Sequence, residues 1–156
     1  MLSVFLDTNI LLDVSLERAP WFAAARSIIE EGSKRERMKC LVSPLSLKDV
    51  YFITARQKNE HIARGFVQLL CEACEVVNVG AATCALSLAG SEPDFEDGLI
   101  AASVQECDAD IVITRDARAF AQIDAVKVDP LTFADFFFAP NSYPREAHEV
   151  WASVRC

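Results

Sequence analysis

Ser3-Val4-Phe5-Leu6-Asp7-Thr8-Asn9 reads as a short buried strand that stops on a carboxylate. The apolar run is too brief for a buried helix, and an apolar helical pattern, Thr8–Ser15, begins at once behind it. Asp7 or Thr8 is placed to cap that helix. Two more runs repeat the device: Lys39–Ser43 (KCLVS) ends on a serine, and Asp110–Thr114 (DIVIT) precedes Arg115 and Asp116. Glu75–Val79 and Ala125–Val128 read as further strands. Helical patterns fill the intervals at Pro20–Gly32, Pro44–Lys58, His61–Cys74, Gly80–Ala89, Asp94–Cys107 and Pro130–Phe137. Proline at the head and glycine at the tail of the first of these mark its expected ends. Strand alternating with helix is the pattern of an α/β fold on a mostly parallel sheet.

The 156 residues suit one domain, expected over 1–138, and half of them are apolar, a globular composition. The tail at 139–156, with two prolines, is open to three readings: a docked helix, an oligomer contact or disorder. No apolar run approaches the ~20 residues that span a bilayer. The opening MLSVFLDTN has neither a basic start nor a small-residue cleavage site, so no secretory signal and no membrane association are expected. The six cysteines are scattered, with Cys71 and Cys74 the only close pair, and His61 and His148 stand alone. Four convergent zinc ligands are not in view. Buried thiols in a reducing, cytoplasmic compartment are the expectation.

The net charge of −8 counts against a polyanionic partner until its distribution is considered. Residues 26–64 carry +4, leaving −12 for the rest. Cations bound by the acidic remainder would offset part of that charge.

The informative acids lie at strand ends, where open parallel α/β sheets gather function. Asp7 ends the first strand, and Asp116 follows DIVIT by two residues. Asp49 falls in the first turns of the helix after KCLVS, and Asp97 in the first turn of the Asp94–Cys107 helix. Any one of these is an ordinary cap or turn residue. Four elements each sending one carboxylate to one edge is a different matter, because like charges a few ångströms apart raise each other's pKa. Hard divalent cations relieve that repulsion, and Mg²⁺ or Mn²⁺ on carboxylates, one ion or two, serves phosphodiester hydrolysis.

The blocks Leu6-Asp7-Thr8-Asn9, Val42 to Asp49 (VSPLSLKD), Asp94 to Ala102 (DFEDGLIAA) and Ile113-Thr114-Arg115-Asp116 resemble the four blocks of PIN domains in order and spacing. The chain is particularly similar to bacterial PIN ribonucleases of the toxin-like VapC type whose third block reads Asp-Phe-Glu-Asp. The resemblance spans residues 4 to about 120. It implies a three-layer α/β/α sandwich on a parallel sheet of four to five strands. It also implies Mg²⁺ or Mn²⁺ as cofactor, endoribonuclease activity on an RNA substrate, an antitoxin protein as partner, and a homodimer. By position Asp7, Asp97 and Asp116 would be metal ligands, with Asp49 standing where many PIN domains have Glu. Asp94, Glu96, Thr8, Asn9 and Thr114 would support those ligands. Arg115, Arg56, Lys58 and Arg64 are candidates to hold the phosphate backbone. Position 116 is Asp where relatives with this third block often have Asn, and position 119 is Ala where they often have Asp.

Three other readings fit the sequence less well. A HAD-like phosphatase needs Asp-x-Asp after its first strand, and the third residue here is Asn9. A receiver domain could use Lys127 but leaves the Asp97 block without a role. A non-catalytic PIN-fold module binding RNA or protein would be expected to have lost some of the acids. With no histidine well placed for acid–base work, attack by water leaving 5′-phosphate and 3′-hydroxyl ends is the expected chemistry.

Overall fold

The computed structural model describes residues 1–138, so the 139–156 tail lies outside the described residues. Five strands form one parallel sheet: β1 (Leu2–Leu6), β2 (Met38–Val42), β3 (Glu75–Val76), β4 (Ile111–Ile113) and β5 (Val126–Val128). Seven helices connect and cover them: α1 (Thr8–Ser15), α2 (Phe22–Lys34), α3 (Pro44–Gln57), α4 (Glu60–Ala73), α5 (Ala81–Ala89), α6 (Phe95–Glu106) and α7 (Pro130–Phe138). A 3₁₀ turn at Ala117–Phe120 follows β4.

Period-two alternation splits the strand residues between two apolar layers. Val4, Leu6, Cys40, Val42, Ile111 and Ile113 face a core shared with residues of α1, α2, α3, α4 and α7. Phe5, Leu41 and Val112 face the other way, onto α6, Phe120 and Ile123. The result is the expected three-layer α/β/α sandwich.

The strand order β3-β2-β1-β4-β5 explains where a site can form. From β1 the chain winds outward through β2 to β3, then returns to the other side of β1 for β4 and β5. Strand order therefore reverses between β1 and β4, and a crevice opens beyond their carboxyl ends. Leu6 lies beside Ile113 in register, which sets Asp7 next to Thr114.

Caps fix where most helices begin. Asp7, Ser43, Asn59 and Asp94 each accept a backbone N–H from the first turn of the helix they precede. The Pro20–Gly32 reading is displaced: α2 starts after Trp21, and Gly32 sits inside it. Gly32 serves close packing instead, since a Cβ there would come within 2.3 Å of the Cys40 sulfur on β2. Glu75–Val79 shortens to a two-residue edge strand, because β2 pairs with it only at Leu41 and Val42. The expectation of uniformly buried thiols also needs correction. Cys40 and Cys74 are buried, but Cys71 and Cys84 lie on solvent-facing sides of α4 and α5. No helix among the described residues is long and apolar enough to cross a membrane.

Candidate active site

Asp7 is the centre of the crevice. It is 9% exposed, and each of its carboxylate oxygens is engaged. The Thr8 amide donates to Oδ1 at 2.7 Å, the Thr114 hydroxyl donates to Oδ2 at 2.6 Å, and the Asn9 amide group also donates to Oδ2. Burial pushes the Asp7 carboxyl above its ordinary range, against these hydrogen bonds, and the charge of Asp97 adds to the rise.

Thr114 joins the two central strands chemically. Its hydroxyl donates to Asp7 and accepts the Asp116 amide at 2.9 Å. Asp116 is exposed and caps the 3₁₀ turn, with Oδ1 accepting the Arg118 amide at 3.1 Å. Asn9 braces the same segment from α1, since its Oδ1 accepts the Arg115 amide at 3.3 Å.

The N-terminus of α6 brings the third block to this edge. Asp94 caps the helix, accepting the Asp97 amide at 2.9 Å. Partial burial raises the Asp97 carboxyl, and the charges of Asp94 and Asp116 raise it further. Gly98 lets α6 press against α5, because a Cβ there would meet the Ser87 hydroxyl at 2.4 Å. Asp49, in the second turn of α3, meets the neighbouring residue of α6. A hydrogen bond with Asp49 and its negative charge raise the Glu96 carboxyl. Lys48 stands beside the pair, 2.9 Å from Asp49.

Asp7, Asp97 and Asp116 are thus electrostatically linked at one edge, with Asp94 beside them, while Asp49 is reached through Glu96. The available donors are carboxylate oxygens, the type hard divalent cations prefer. Among the described residues, no three acidic, histidine or cysteine side chains are gathered closely enough to hold an ion as they stand. Asp97 is half-buried and Asp116 exposed, so both carboxylates are open to solvent at this edge.

The remaining sequence candidates are placed differently. The Thr8 hydroxyl donates to Ser46 at 2.8 Å, tying the start of α1 to the start of α3. The two helices then run side by side, with Thr54 bonded to Ser15 and Lys58 paired with Glu17 at their far ends. Arg56 and Lys58 therefore lie about 10–13 Å along the helix axis from Asp49. Arg64 is paired with Glu60 at the start of α4. Arg115 does not present its guanidinium to the carboxylates: its Nε meets Asp13 at 3.0 Å.

A family model for the PIN domain matches residues 3–118. The chain belongs to the PIN-domain family. Solved PIN-fold structures agree in architecture. VapBC2 from Rickettsia felis, bound to a DNA fragment from its promoter, superposes with TM-score 0.64 at 13% identity, covering 82% of this chain and 98% of that one. VapC20 from Mycobacterium tuberculosis, a sarcin–ricin loop cleaving toxin, gives 0.62 at 14% identity, covering 76% and 93%. A toxin–antitoxin complex from Klebsiella pneumoniae gives 0.61 at 22% identity, covering 81% and 97%. At these identities the likeness is one of fold. No protein of curated function matches the chain in sequence.

Two acids of this PIN domain escape a search of strand ends. Asp13 lies inside the apolar run of α1 and is fully buried. Glu92 precedes α6, and burial, then the charge of Asp97, raises its carboxyl. The only signal for Asp13 in the sequence is a charge among the apolar residues ILLDV, a pattern shared by many surface helices.

Proposed function

We propose that this PIN domain is a metal-dependent endoribonuclease, acting as the toxin of a toxin–antitoxin pair. One observation carries the reading: separate elements bring acidic side chains to one edge around Asp7 at the reversal of strand order, where the charge of Asp97 bears on Asp7 and those of Asp94 and Asp116 bear on Asp97. Family membership and the likeness to VapC20 and VapBC complexes support it.

Asp7, Asp97 and Asp116 would hold Mg²⁺ or Mn²⁺, with Asp49 and Glu96 completing the acidic rim. The ion would neutralise the cluster, draw the scissile phosphate to it and supply Lewis-acid stabilisation of the charge that builds there. Asp7 is the fixed point. Three donors hold its carboxylate in one orientation, two of them on Oδ2 and one on Oδ1, which leaves acceptor capacity on Oδ1 for an ion. Thr114 sets Asp116 relative to Asp7, and Asp94 sets the start of α6. The Asp49–Glu96 pair offers a carboxyl that keeps its proton above the ordinary range, a group able to give a proton to a leaving oxygen.

The purified protein is expected to cut single-stranded or stem-loop RNA with Mn²⁺ or Mg²⁺ and to stop on addition of EDTA. Products should carry 5′-phosphate and 3′-hydroxyl ends; a 2′,3′-cyclic phosphate would refute hydrolysis by water. Asp97→Asn cleaving as well as wild type would remove this site from consideration. Expression should arrest growth, and co-expression of a short open reading frame adjacent to the gene should relieve it.

A further inference from the structure

Asp13 is a fully buried carboxylate that the proposed chemistry leaves unused. Among the described residues neither of its oxygens accepts a hydrogen bond; what faces it is charge, an ion pair with the Arg115 guanidinium and a second positive charge from Arg18. An isolated buried charge is costly, and even a paired one is weak support for stability; fixing a geometry is its better-attested use. The geometry here is specific. The Arg115 guanidinium lies 4.2 Å from the centre of the Trp21 ring while its Nε reaches Asp13 at 3.0 Å. A planar guanidinium can lay its face on a ring while its Nε edge meets a carboxylate, a fixed orientation that the flexible ammonium of lysine lacks.

Arg115 also occupies the position between the two groups that matter most. Thr114 before it donates to Asp7, and Asp116 after it is a proposed ligand. Its own amide donates to Asn9, whose side chain donates in turn to Asp7. The segment 114–116 is therefore held on α1 by the Arg115 amide, and on α1 and Trp21, just before α2, by the Arg115 side chain.

We propose that Asp13 is a positioning residue: through Arg115 stacked on Trp21 it fixes segment 114–116, so that Thr114 and Asp116 stand against Asp7. Arg115 is then a clamp and not a phosphate contact. The inference rests on the nuclease reading for its consequence, but the clamp itself can be read without metal or RNA.

The test compares wild type with Asp13→Asn, which removes the charge, and Arg115→Lys, which keeps the charge and loses the fork. In metal-free protein, amide hydrogen exchange over 113–118 should quicken about tenfold or more in both variants, while the interiors of β1 and α6 keep their protection. Calorimetric titration with Mn²⁺ alone should show affinity about tenfold weaker. On a single-stranded RNA oligonucleotide, kcat should fall about tenfold with KM nearly unchanged, and the double variant should be no worse than either single one. Exchange quickened throughout the domain would make Asp13 merely structural and overturn the proposal. So would an Arg115→Lys protein that matches wild type, or one whose loss lies in KM alone. If wild type binds no Mn²⁺ and cuts no RNA, the nuclease reading fails, and the exchange measurement still decides the clamp. Should Asp13→Asn not fold, Arg115→Lys carries all three measurements.

Discussion

The Thr114 hydroxyl donates to Asp7 Oδ2 across 2.6 Å, joining the carboxyl ends of two adjacent parallel strands at a buried point. One small side chain thereby orients the carboxylate at the centre of the crevice and, through the Asp116 amide, the acid beside it.

Thr114→Val keeps the shape and removes both functions of the hydroxyl. Mn²⁺ affinity measured by calorimetry should fall about 10–100-fold, as for other groups that orient metal ligands. Thr114→Ser should retain most of it. Equal affinity in Thr114→Val and wild type would show that Asp7 is oriented by Thr8 and Asn9 alone.

Asp97→Asn separates stability from activity. The native state raises the Asp97 carboxyl by burial and by the charges of Asp94 and Asp116, so ionised Asp97 is unfavourable in the metal-free fold. Removing that charge should raise the metal-free Tm at pH 7 by on the order of 1–2 °C while abolishing Mn²⁺ binding. The pH dependence has a definite sign. A raised folded-state pKa means the penalty is present above that value and vanishes below the unfolded value of 3.8. The Tm advantage of the variant should accordingly shrink to nothing as acidity increases. An advantage that grew with acidity would contradict the repulsion.

Replacing Arg56, Lys58 and Arg64 together by alanine should leave KM for RNA within about twofold, because these residues sit two or more turns of α3 away from Asp49 or in an ion pair on α4. A tenfold rise in KM in steady-state assays would instead draw the RNA path along α3.

Gly32→Ala should destabilise the fold by about 1–3 kcal/mol in denaturant titration, since the added carbon meets the Cys40 sulfur at 2.3 Å. In the Cys40→Ala background the same change should cost markedly less. Additive losses in the two backgrounds would mean that α2 meets β2 elsewhere.

The sequence by itself determined the α/β alternation, the parallel sheet and three of its strands almost to the residue, because short apolar runs punctuated by caps are local signals. It also placed Asp7, Asp97 and Asp116 at strand or helix ends, where a parallel sheet opens. The tertiary structure decided what those acids meet. That Asp49 faces Glu96, that Arg115 turns to Asp13 and Trp21, and that Gly32 is spent on contact with Cys40 all depend on side chains far apart in the chain. Backbone patterns are written within a few residues, whereas the direction of a guanidinium or the partner of a carboxylate is set by which helix packs across it. The reversal of strand order between β1 and β4 belongs to the same class, for it arises only when the sheet is assembled and β4 takes its place beside β1.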